Sequence, residues 1–153
     1  MDSVEQVLLT VLPGLVVGVL TAVVANRLTL NRFYTERWWE RKADTYSKIM
    51  ESLYHMVNYT GQQMRDPATR DKEIEQELLS RSMSATQQID QITSIGAFII
   101  SKTSAMRLTV LRKELENAAK ADDWYEYLEA EYSALADCIR DIREIANDDL
   151  HVK

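Results

Sequence analysis

The stretch Asn31–Lys42, NRFYTERWWERK, sets two adjacent tryptophans among three arginines and a lysine. Arg37, Arg41 and Lys48 recur at spacings of four and seven residues, which puts them on one face of a helix. Tyr34 and Trp38 lie along the edge of that face. Cations attract phosphates and flat rings accept stacked bases, so Arg37, Arg41, Lys48 and Trp38 form a candidate site for a polyanion with stackable bases. A second reading uses the same residues. Asp44 lies on the stripe, and Glu36 and Glu40 stand within pairing distance of Arg32 and Arg37, so a salt-bridged, solvated helix surface accounts for the pattern as well.

Other chemistry is thinly provided for. His55 and His151 are the only histidines and lie far apart. The chain has no HExxH, CxxC, phosphate-binding glycine loop or GxSxG, the spacings that metal, redox, nucleotide and acyl-transfer chemistry use. Cys138, the single cysteine, stands beside Ile139 and reads as a small core residue. It cannot form an internal disulfide, which fits a reducing compartment. No catalytic residue, metal site or cofactor is expected, and the chain reads as a non-enzyme.

The elements that must position the basic stripe start with an apolar run. Val7–Ala25, VLLTVLPGLVVGVLTAVVA, holds 19 residues without a charge; as a helix it spans roughly 28 Å, about the hydrocarbon thickness of a bilayer. Asp2 and Glu5 precede it, whereas a secretory signal needs a positive n-region, so a retained transmembrane helix is expected. Arg27, Arg32, Arg37, Arg41 and Lys42 all follow the run, and the positive-inside rule then places the N-terminus outside and the C-terminal bulk in the cytoplasm. Phe33 and Tyr34 suit the lipid interface. Trp38 lies thirteen residues past Ala25, about 20 Å further along a continuing helix, too far for an interfacial belt.

Within the run, Gly14, Gly18 and Ala22 repeat every four residues, a spacing that lets membrane helices approach closely. Thr10, Gly14, Val17 and Thr21 share a related face that would line a narrow path if several copies assembled. A single helix encloses no pore, so this reading requires a homo-oligomer.

Past the run the chain predicts helices. Only four Gly and two Pro occur in 153 residues, too few for a turn-rich β protein. No Gly or Pro stands between Gly18 and Gly61, so one long helix is expected, with Tyr46, Met50, Leu53, Val57, Thr60 and Met64 facing a core. Trp39 extends that stripe seven residues upstream and is expected inside, with Trp38 more exposed. Asp66-Pro67 suits a helix start. The next helix presents Ile74, Leu78, Ala85, Ile89 and Ile92 inward. The segment SIGAFIIS interrupts it, with Phe98, Ile99 and Ile100 as a buried connector. Ser101 is a candidate N-cap for a third helix with Leu108, Leu111, Leu115 and Ala118 inward. Asp123, three residues before Glu126, suits a capping box for a last helix facing inward through Leu128, Tyr132, Leu135, Ile139, Ile142 and Ala146.

The expected architecture is all-α: residues 1–30 as an N-terminal transmembrane helix, 31–65 as a helical stalk and first bundle helix, and 66–153 as a cytosolic helical domain. The net charge of −6 is uneven. From Arg27 to Lys48 six basic residues outnumber three acidic ones, whereas acid dominates from Glu114 to Asp149, suggesting a basic working end near the apolar run.

The segments ERWWERKADTYSKIMESL, SIGAFIIS, DDWYEYL and IREIANDDL, in that order, resemble the membrane effectors of the Hailong antiphage defence system, small bacterial proteins with one N-terminal membrane helix and a helical cytosolic domain. The resemblance covers most of the chain and rests on structural rather than catalytic motifs. It implies a homotetrameric channel in the bacterial inner membrane, controlled by oligodeoxyadenylate single-stranded DNA that a partner nucleotidyltransferase makes. A similar layout occurs in membrane effectors of some type III CRISPR systems, gated by cyclic tetra-adenylate. A third expectation is a passive membrane anchor or adaptor that presents its bundle to a protein partner.

Overall fold

The computed structural model describes residues 36–65, 67–69, 71–95 and 98–150. They are all-helical: α1 over 36–63, α2 over Lys72–Ile95, α3 over Lys102–Ala118 and α4 over Trp124–Asp149, with a short 3-10 turn at Pro67–Thr69. Compactness divides the chain into Met1–Glu40 and Arg41–Lys153. Among the described residues no helix is long and apolar enough to cross a membrane. The candidate span Val7–Ala25, with Thr10, Gly14, Val17, Gly18 and Thr21, lies outside the described residues.

Local chemistry explains where the helices begin. Asp71 caps α2, its Oδ1 accepting from the Glu73 amide at 2.9 Å. Glu73 and Glu75 then stand in the first turn, where negative charge offsets the helix dipole. Pro67 opens the short 3-10 turn instead of the long helix, so the start of α2 falls five residues later than the Asp66-Pro67 pair suggests; Asp66 lies outside the described residues. Ser101 caps α3 as expected, accepting from the Ser104 amide at 3.2 Å. Asp123 caps α4, accepting from the Tyr125 and Glu126 amides at 2.9 and 3.1 Å.

The core of the Arg41–Lys153 unit gathers one face of each helix. Ile49, Leu53, Leu108, Leu111, Leu128, Leu135 and Ile142 are all but inaccessible. α3 packs far more extensively on α4 than on α2. On α1 the buried residues are Tyr46, Ile49, Ser52, Leu53, Met56, Thr60 and Gln63. The expected stripe shares Tyr46, Leu53 and Thr60, but Ile49 and Met56 replace Met50 and Val57, which are only partly buried. Both rows are apolar and neighbour each other around the helix, so the partner helices, not periodicity, select between them. Several expected inward positions are exposed instead. Phe98 is 68% exposed, while Ile100 behind it is buried. Ile74 and Tyr132 are exposed, and Trp39 is no more covered than Trp38, at 49% and 46% exposed.

Candidate functional site

Arg37, Arg41 and Lys48 are exposed along α1. Arg37 and Trp38 belong to the unit ending at Glu40, Arg41 and Lys48 to the unit that follows. Lys48 is answered within its own helix: its Nζ lies 2.7 Å from Asp44 Oδ2. An exposed pair of this kind contributes only a few tenths of a kcal/mol, yet it offsets one of the stripe's cations. The helix-surface reading therefore accounts for Lys48.

The best-organised polar cluster draws on Lys42 and Tyr46, between Arg41 and Lys48 on α1, and was not evident from sequence. Lys42 Nζ donates to Asp149 Oδ1 at 2.7 Å and sits 3.4 Å from the Asp149 carbonyl. Tyr46 donates its hydroxyl to Asp149 Oδ2 at 2.6 Å. The same hydroxyl lies 2.8 Å from Ser104 Oγ and accepts from the Ser101 amide at 3.3 Å. Three elements meet here: the near end of the compact unit's α1, the capped N-terminus of α3 and the last residue of α4. Acid at a helix C-terminus opposes the dipole, and α4 has no basic residue in its last turn. Lys42 supplies that cation from another helix. Burial alone would raise the Asp149 carboxyl, but the hydrogen bonds from Lys42 and Tyr46 outweigh it and hold it below the ordinary range. Chemically the cluster is a latch. It fixes the basic helix to α3 and α4.

Two further polar groups sit between helices. Arg107 of α3, with 13% of its side chain exposed, binds Asp141 at 2.7 Å and Glu114 at 3.0 Å. Its hydrogen bond is the main cause holding Asp141 below its usual pKa. Glu131 is raised by burial, against hydrogen bonds with Tyr127 and Thr60; Tyr127 is raised by burial and by Glu131.

Cys138 is fully buried, and burial pushes its thiol up to about 12. It stays protonated near neutrality, a core side chain rather than a nucleophile. Among the described residues, no group of three or more His, Cys, Asp or Glu is placed to hold a metal ion.

No protein-family model, curated protein or solved structure matches this chain.

The apolar cleft between α2 and α3 offers little to an anion. It holds about 190 Å³ and has an apolar floor of Met56, Ile89, Leu108 and Leu111. Its rim carries Asp90 and Glu116 against Arg112, and Arg112 lies 3.7 Å from Glu116. Two carboxylates and one engaged guanidinium do not favour phosphate. Of the sequence-derived candidates, Arg37, Trp38, Arg41 and Lys48 are all exposed on α1, and Lys48 pairs with Asp44. Sequence reading missed Lys42 and the Tyr46 hydroxyl as partners of Asp149, which lies 107 and 103 positions away from them. No local spacing announces them.

Proposed function

We propose that the chain is an oligomeric membrane pore effector of bacterial antiphage defence, a non-enzyme gated by a nucleotide ligand at its cytosolic domain. The working unit is a homotetramer in the inner membrane. The ligand is oligodeoxyadenylate single-stranded DNA, the product of a partner nucleotidyltransferase. The observation that carries the reading is the uncharged run Val7–Ala25, followed by an all-helical bundle whose first helix bears the basic–aromatic stripe. Arg37 and Arg41 would meet phosphate and Trp38 a base. The Lys42–Tyr46–Asp149 latch supports the reading because it ties that helix to α3 and α4. A change in the bundle is then carried along a helix without Gly or Pro between 36 and 60.

A membrane-anchored adaptor is the second reading, favoured by the Lys48–Asp44 pair and by the exposed Leu79 and Met83 of α2. The two are separated by pairing a membrane-potential dye in expressing cells with binding to detergent-solubilised full-length protein. The binding arms are oligodeoxyadenylate DNA and cyclic tetra-adenylate. The effector should depolarise cells and bind one of the two. Arg37→Glu with Arg41→Glu should weaken binding at least about tenfold, since repulsion replaces attraction, and should change the leak. A wild-type chain that neither binds nor leaks is the adaptor. A double variant that binds and leaks like wild type leaves the stripe as a solvated helix surface.

A further inference from the structure

α2 is sparsely covered for its length. Of its 24 residues Ala85 and Ile89 are the buried ones, while Leu79 is 40% and Met83 60% exposed. Leu79 and Met83 lie on a strip with Lys72, Gln76, Thr86 and Asp90, at alternating spacings of four and three. That spacing runs nearly straight along one side of a helix. The strip is symmetric in position and opposite in charge. Counting from Arg81, Lys72 and Asp90 lie nine residues away on either side, Gln76 and Thr86 five, and Leu79 and Met83 two. Lys72 and Asp90 are both exposed, and neither forms an ion pair with another described residue.

We propose that a second copy of this chain packs on this strip, with the two α2 helices antiparallel about a dyad at the level of Arg81. Leu79 then meets Met83 of the partner subunit, Gln76 faces Thr86 of the partner subunit, and Lys72 meets Asp90 of the partner subunit. Two-fold symmetry makes each contact twice. A parallel pair would set Lys72 on its own copy and Asp90 on its own copy, so charge selects the antiparallel arrangement. The inference rests on the described residues alone and stands or falls separately from the channel reading.

Cysteine crosslinking of the full-length protein in detergent tests it, with native Cys138 retained because it is buried and wild type as the control. Lys72→Cys with Asp90→Cys should give a covalent dimer on mild oxidation. Neither single variant should, because like positions stand roughly 27 Å apart, 18 residues at 1.5 Å each. Native mass spectrometry supplies the second measurement. Lys72→Asp should raise the dimer dissociation constant about tenfold, since two attractions become repulsions. Lys72→Asp with Asp90→Lys should restore it. A dimer crosslinked through Lys72→Cys alone, or a double-cysteine protein of wild-type helicity that stays uncrosslinked, overturns the proposal.

Discussion

Glu131 shows how a single residue can act against the fold that holds it. Burial raises its carboxyl, and hydrogen bonds with Tyr127 and Thr60 only partly compensate. With the folded value above the unfolded one, the carboxyl contributes most favourably below the ordinary value of 4.5. That contribution is lost as pH rises through the folded value. Glu131→Gln keeps the shape and removes the charge. The variant should melt above wild type at pH 7.5, and the gap should shrink by pH 4, where wild type is itself protonated. Thermal melts at the two pH values check this; a variant melting below wild type at both would show that the carboxylate's hydrogen bonds outweigh its burial.

At the scale of elements, the bundle is uneven. α3 and α4 are each capped at the N-terminus, and α3 packs far more extensively on α4 than on α2. α2 is capped by Asp71 but contributes just two buried residues. The α3–α4 pair should therefore carry most of the stability. Leu135 of α4 is fully buried in the common core, and Leu135→Ala should cost about 2–5 kcal/mol, the transfer term plus the cavity it leaves. Ile74→Ala, on an exposed end of α2, should cost under about 0.5 kcal/mol. Urea unfolding of both variants measures the contrast, and equal losses would mean that α2 is held more firmly than its burial implies.

For the molecule as a whole, the latch joins parts of the chain that are far apart in sequence. Lys42 and Tyr46 near the start of the compact unit meet Asp149 at the end of α4. The Asp149 carboxyl is held below its ordinary value of 3.8, so its contribution is present above that value and is lost as pH falls through the folded value. Asp149→Asn removes the ion pair with Lys42 and should cost about 1–3 kcal/mol at pH 7. It should also flatten the loss of stability below about pH 4. Denaturation across pH 2.5–7 reads both effects. A variant as stable as wild type at pH 7 would show that the latch contributes little to the fold.

Helix content, two of the three caps and the placing of Cys138 in the core were legible in the chain, because each depends on residues within one or two helical turns. Scarce Gly and Pro select helix, and Ser101 and Asp123 bond to amides two or three residues on. The uncharged run Val7–Ala25 and the basic stripe after it are equally local, and so is the competing pairing of Lys48 with Asp44. Tertiary structure decided what periodicity leaves degenerate. Ile49 and Met56 rather than Met50 and Val57 face inward because adjacent apolar rows differ only in what packs on them. Trp39 stands a heptad before Tyr46, yet about half its surface remains exposed, at 49%. The Lys42–Tyr46–Asp149 latch exists only because α1 and α4 meet in space; across more than a hundred residues, neither spacing nor propensity relates those side chains until the fold does.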